Sequence, residues 1–446
     1  MSAREKTDPG SAQSAPDSVM VELLGPAVLD RESVGGWEAW RVGRHRRFEP
    51  APRVDLAAWR SMSPRDRAAY DLHRIATHAN LPFLETPMSA AVIAVMWARL
   101  RMNAVKRKPT TRAGLMINGG GYQGKTETVC EVAALFADTW LTLHEANPNA
   151  VPGTRDLHAP VAYVQTPVTA KPKSVCQAIL DFYGADHKGM TLPQLVGAVR
   201  ASLRDHATKV LILDDITRLR MHREADQDVL DLLRALMSMD LTLVLVGVGI
   251  PVSGLLREGR QDPRTGAWTF TGTGRGGFAD EAATQTERRF DLLELGPFRY
   301  DTGQDIDAWV SHLAGIEQHL RLLQPSAGML TGGSMPEYLF RRTGGIVGLL
   351  ERLIEDGCTH AMDSGRERLD VVGLDQVGLS LATAPGRDPS AGEVPALAAS
   401  RPAPPRRSAT PATGRPRHQG RNKVFDDHAG TRSTSCPPVR SRGEAP

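Results

Sequence analysis

The chain has 446 residues, room for two or three domains at about 150 residues each. Hydrophobic side chains make up 41%, enough for a substantial core, and 54 basic against 51 acidic residues leave a net charge of +3, which neither demands nor excludes a nucleic-acid partner. The four cysteines (Cys130, Cys176, Cys358 and Cys436) form no C-x-x-C pair, which argues against a disulfide framework or a zinc cage. No apolar run is long enough to span a bilayer and the polar N-terminus carries no signal-peptide core, so a cytoplasmic location with no membrane partner is expected.

Residues 1–20, rich in Ser, Ala, Pro and Asp, read as a disordered tail. Residues 21–80 read as an N-terminal helical segment that docks a partner. There Trp37, Trp40 and Trp59 accompany Arg44, Arg46 and Arg47, as a small core or a docking face. His73 and His78 do not share one helix face and have no Cys nearby, so no zinc site is expected. Arg99, Arg101, Lys106, Arg107, Lys108 and Arg112 cluster next, either as a solvated helix end or as phosphate contacts to DNA.

From 81 to 300 short apolar runs alternate with helical stretches. The expected strands are 113–118 (AGLMIN), 161–166 (VAYVQT), 210–214 (VLILD), 241–246 (LTLVLV) and the weaker 290–295 (FDLLEL). Helical spacing falls at 126–143, 175–183, 195–206 and 226–239. Strands alternating with helices imply an α/β domain, a parallel sheet with helices on both faces. Residues 257–280, rich in Gly, Arg and Thr around Trp268 and Phe270, read as a mobile hairpin that touches DNA or a partner, or equally as an idle loop. From 301 to 384 the pattern is helical, with helices expected at 305–323 and 346–363. Residues 385–446 have many Pro and Arg and few large apolar side chains, so no core offsets the cost of ordering the backbone.

Gly119-Gly120-Gly121-Tyr122-Gln123-Gly124-Lys125-Thr126 fits G-x-x-x-x-G-K-[ST]. Glycines let the backbone turn tightly so that its N–H groups face phosphate oxygens. Lys125 places a charge between the β- and γ-phosphates, and the Thr126 hydroxyl takes a corner of a Mg2+ shell. Glu127, next on the helix, completes the expected ATP-binding segment. A chance match would occur on the order of once per hundred such chains, and the strand before the loop and helix after it lower that further. Asp214 and Asp215 close the apolar run 210–213. Asp214 can hold a Mg2+-bound water and Asp215 can act as general base; alternatively the two cap the next helix.

These residues bring a resemblance into view. The layout resembles the AAA+ ATPases and, within them, the TniB-like partners of transposases related to TnsC. The segment 160–167 (PVAYVQTP), followed by Ala178-Ile179-Leu180 and Tyr183-Gly184, looks like the second strand unit of TniB proteins. Asp214-Asp215-Ile216-Thr217-Arg218-Leu219 is similar to the family's Asp-Glu-Ile-His-Arg/Asn-Leu, and Glu287-Arg288-Arg289-Phe290 to its Arg-Phe motif. The resemblance covers about residues 60–380. It implies a five-stranded αβα sandwich with a helical lid, homo-oligomers in a ring or filament, and duplex DNA, a transposase or integrase and an accessory transposition protein as partners. It also implies that Arg289 reaches a neighbouring subunit's γ-phosphate, with Arg288 as the alternate.

Three departures weaken fast hydrolysis. Asp215 stands where the family carries Glu. The fourth strand ends Val246-Gly247-Val248-Gly249 without a polar sensor. Gly348 stands where many AAA+ proteins carry an Arg, for which Arg352 is a possible substitute. Two other classes remain open: a signalling ATPase that gates a protein partner without DNA, and, ranked last, a helicase-loader or replication-initiator relative.

Overall fold

The computed structural model describes residues 30–44, 49–149, 158–168, 171–218, 227–252, 259–261, 268–270 and 288–379. The tails expected at 1–20 and 385–446, and most of the loop at 257–280, lie outside these residues.

Among the described residues, four helices precede the first strand: α1 (Val34–Gly43), α2 (Leu56–Ser61), α3 (Pro64–Ala79) and α4 (Pro87–Ala104). Local chemistry sets their starts. Ser63 and Thr86 accept from the backbone N–H groups of Asp66 and Ser89, and a proline follows each cap, where its missing N–H costs nothing.

The strands are β1 (Gly114–Asn118), β2 (Val161–Gln165), β3 (Val210–Asp214), β4 (Thr242–Gly247), β5 (Gly259–Gln261), β6 (Trp268–Phe270) and β7 (Phe290–Glu294). Five of them form one parallel sheet in the order β2-β3-β4-β1-β7. β5 and β6 form a separate antiparallel hairpin, with Gly259 opposite Phe270. Every residue of β1, β3 and β4 is buried, which is why those runs are apolar on both faces rather than alternating. Their helices are α5 (Lys125–Glu145), α6 (Pro172–Phe182), α7 (Leu192–Asp205) and α8 (Gln227–Met237). Asn103 on α4 donates to Ala113 O at 2.9 Å and to Thr242 Oγ1 at 3.0 Å, fixing that helix to the starts of β1 and β4.

Beyond β7 come α9 (Gly303–His319), α10 (Met335–Thr343), α11 (Val347–Asp363) and the short α12 (Val371–Leu374). They build a second core around Trp309, Leu339, Leu350 and Leu353. The sequence pattern missed α10, whose 9 residues are hidden between glycines; Gly344 ends it at φ 61° in the left-handed conformation that glycine adopts most easily.

The N-terminal helices are tied to both cores. Trp37 is buried in the sheet core and stacks on Tyr163 with centroids 6.3 Å apart, so it belongs to no separate small core. Trp59 packs beside Ala51, Tyr70 and Leu323. Arg74 on α3, 1% exposed, holds Glu367 with two bonds of 2.7 and 3.1 Å. Breaking such a buried, bidentate pair from one side typically costs about 3–5 kcal/mol. His78 accepts from the Arg321 N–H at 2.9 Å, and burial lowers its pKa to about 4, so it serves as a neutral acceptor.

Candidate functional site

The site lies where the strands end. β1 runs into the loop 119–124, and α5 starts at Lys125 with Gly124 at φ 72°. A side chain at Gly119 would meet Leu295 O at 2.3 Å, so the loop's first glycine is required by the strand-end backbone beside it. Gln123 folds back to accept from the Gly120 N–H at 2.6 Å. Tyr122, also at positive φ (60°), projects its ring into solvent.

Lys125 is the central cation. Its Nζ donates to Gly120 O at 2.5 Å. Burial lowers its pKa, while Asp214, Asp215 and Glu294 pull the other way and favour the charged form. Thr126 Oγ1 donates to Asp214 Oδ2 at 2.7 Å across 88 residues of sequence. Two hard oxygens held together beside an ammonium suit Mg2+ and a polyphosphate, so the donor set fits that pair of ligands. Asp214 is 4% exposed and receives a second bond, from the Tyr163 hydroxyl at 2.9 Å. Burial and the Asp214 charge push the Tyr163 phenol well above its ordinary value, so it stays a donor.

Asp215 has φ 52°, an unusual conformation that Asp tolerates better than most residues. It thereby leaves the direction of β3, and its Oδ2 accepts from Gln165 Nε2 at 3.2 Å. Glu127 lies 3.5 Å from Arg31 Nη1, and that guanidinium sits 4.7 Å from the centre of the Trp40 ring.

Several of these partners were not legible from spacing. Tyr163 and Gln165 on β2 reach β3, and Asn118 and Glu294 end β1 and β7. Asn118 donates to Glu294 Oε2 at 2.7 Å and accepts from the Ile250 N–H at 2.9 Å, so a buried amide links the ends of β1 and β7 to the turn after β4. Gly247 cannot carry a sensor without movement, because a Cβ there would lie 3.0–3.3 Å from Ile216, Thr217 and Ile250.

The lid reaches the loop through Gly348, whose N–H donates to Tyr122 O at 2.9 Å. Arg352 lies 3.6 Å from Asp356 on its own helix. Glu351, its neighbour on the helix, feels the charge of Glu127 on α5.

Arg289 lies at the other end of the sheet. Its carbonyl accepts from the Gly114 N–H at 2.8 Å, beside the start of β1. Five residues of strand separate it from its own phosphate loop, roughly 15–20 Å. Among the described residues, neither Arg288 nor Arg289 has an ion-pair partner. The six cations of 99–112 do not form one patch: Arg99 pairs with Asp291 and Arg101 lies over Trp97, whereas Lys106, Arg107 and Lys108 are exposed around the buried Arg112.

Residues 115–252 match the family model of the AAA domain. With the sheet order and the lid, this defines the fold as that of an AAA+ P-loop NTPase. Solved structures similar to the chain include ORC1 from Aeropyrum pernix in complex with DNA, at 12% identity over 68% of each chain and a TM-score of 0.47. AMPPCP-bound DnaA from Aquifex aeolicus is similar at 14% identity over 64% of this chain and 68% of that one, with a TM-score of 0.34. Domain III of DnaA from Thermotoga maritima is similar at 12% identity over 66% and 92%, with a TM-score of 0.35. At such identities and scores these likenesses carry no argument about function. No curated protein matches the chain. Among the described residues, no helix is long and apolar enough to cross a membrane.

Proposed function

We propose that this chain is an ATP-binding, slowly hydrolysing AAA+ switch that assembles on duplex DNA and regulates or recruits a transposase. The observation that carries the nucleotide part is the 2.7 Å bond between Thr126 and Asp214 beside Lys125. Two segments far apart in sequence are folded together into one oxygen-and-ammonium site.

In this reading Lys125 exchanges its bond to Gly120 O for oxygens of the β- and γ-phosphates. Gly119, Gly120, Gly121, Tyr122, Gln123 and Gly124 present backbone to the phosphates, and Glu127 flanks them. Thr126 and Asp214 hold Mg2+, with Tyr163 steering the Asp214 carboxylate. Bound Mg2+ and ATP supply an electrophilic γ-phosphoryl group. Asp215, steadied by Gln165, takes a proton from the attacking water. Its short arm and the absence of a polar side chain at Gly247 favour slow turnover, as a switch needs.

Arg289 immediately precedes β7, at the opposite end of β1 from its own loop. In this reading it meets the phosphate of a second copy, in a ring or filament. The DNA and transposase parts rest on the TniB-like segments at 160–184, 214–219 and 287–290. The deciding experiment measures duplex binding with ATP, with ADP and without nucleotide. Binding only with ATP supports the switch; no binding in any state removes the DNA role and leaves a signalling ATPase.

A further inference from the structure

A cavity of about 690 Å3 opens at the end of the sheet opposite the phosphate loop, where β1, β3 and β4 begin. Its wall carries Lys106, Arg107, Lys108, Arg112 and Lys209 against a single carboxylate, Asp240. That carboxylate is already engaged, by Arg112 and by Lys209 Nζ at 3.3 Å. Burial alone would raise its pKa, yet the two cations hold it below the usual carboxylate range, so its charge is spoken for.

Arg112 explains how the loop is built. It is 3% exposed, and its guanidinium donates to the carbonyls of Lys106, Lys108 and Thr110 as well as to Asp240. The loop's carbonyls are thus gathered inward around one cation. The side chains of Lys106, Arg107 and Lys108 stand exposed at the rim, and among the described residues none has a side-chain partner. Arg112 Nε, buried in the wall, also lacks a hydrogen-bond partner among the described residues. Three adjacent like charges over a buried fourth repel one another, and a fold that fixes them around a concavity is matched by a multivalent anion.

We infer that this cavity is a second anion site, one that takes phosphate groups and works independently of the nucleotide loop. A phosphate offers several oxygens to several donors at once, which suits a wall mixing guanidinium forks with ammonium points. A single carboxylate satisfies fewer of them. Both a nucleic-acid backbone and a free phosphorylated compound carry this group.

The test uses the full chain at low salt, with the nucleotide loop saturated by Mg2+ and a non-hydrolysable ATP analogue. Inorganic pyrophosphate is titrated by calorimetry and a short fluorescent duplex by anisotropy. The wild type is compared with the combined Lys106→Gln, Arg107→Gln and Lys108→Gln variant, whose changes lie on exposed side chains. The wild type should bind at least one probe, and the variant should bind it about tenfold more weakly or worse, because three phosphate contacts are lost. Analogue affinity and thermal unfolding should not change. Binding of duplex alone assigns the site to a nucleic-acid backbone; binding of pyrophosphate assigns it to free phosphate and stands even if the DNA role proposed above fails. Binding of neither probe, an unchanged variant, or equal competition by a short polyglutamate would overturn the inference.

Discussion

The Gly348 N–H donates to Tyr122 O at 2.9 Å, joining the first turn of α11 in the lid to the phosphate loop. The contact depends on the missing side chain. A Cβ at position 348 would stand 2.9 Å from Tyr122 O and 3.2 Å from Tyr122 Cβ. Many AAA+ proteins carry arginine here, yet Gly348→Arg is expected to harm this one. Pressing a side chain against the loop backbone should cost about 1–3 kcal/mol. Thermal unfolding and analogue affinity measure this, and both should fall. A variant with unchanged melting and tighter nucleotide binding would mean that the lid has room for the usual sensor.

Lys125→Ala should weaken ATP binding by roughly 10–100-fold, the loss of charge-assisted bonds to phosphate. The fold should persist, because among the described residues the Lys125 side chain is tied to the loop by one bond, to Gly120 O. Equilibrium titration with a fluorescent ATP analogue is the measurement; unchanged affinity would remove the nucleotide assignment.

Asp215→Asn should leave ATP binding intact and slow phosphate release by about 100-fold or more, since the amide keeps the shape and loses the base. The backbone favours this test, because Asn accepts φ 52° at least as well as Asp. Unaltered steady-state release would exclude Asp215 as the residue that activates water. Asp215→Glu lengthens the arm, but at a positive φ that Glu adopts reluctantly.

The loop and the Asp214-Asp215 pair were legible because each is a local string whose chemistry is written in consecutive residues. The five sheet strands were legible because burial on both faces makes the central ones continuous apolar runs. Tyr163, Gln165, Asn118 and Glu294 were hidden for the opposite reason. They are spread over three strands, β2, β1 and β7, and only the register, with Gln165 beside Asp214 and Asn118 beside Glu294, brings them to the site. The cation cluster at 99–112 is divided by the fold. Six basic residues in a row of sequence become an ion pair, a cation over an indole, a buried clasp and a three-residue rim.

Stability is expected to vary with pH through Glu351 on α11. Burial first, then the neighbouring Glu355 and Glu127, raise its pKa from 4.5 to about 7. Below the unfolded value the group is protonated in both states. As pH rises from 4.5 through about 7, the unfolded chain ionises first, so stability is lost over that window and stays lower above it. Glu351→Gln should therefore melt like the wild type near the lower limit and a few degrees higher at roughly pH 8. Equal melting temperatures at both ends would show that Glu351 ionises without penalty.

In the proposed function, assembly controlled by nucleotide turns on Arg289. It stands beside Gly114, at the opposite end of β1 from the phosphate loop, and in the proposed assembly it meets another copy's γ-phosphate. ATP offers that contact and ADP does not, so the differential contact can shift the assembly equilibrium. Sedimentation velocity of the full chain with duplex DNA, in ATP analogue, ADP or no nucleotide, tests this most directly. The wild type should form large complexes only with the analogue, and Arg289→Ala should stay small while binding the analogue with unchanged affinity. A wild-type protein that remains monomeric with analogue and DNA at low salt would contradict the account.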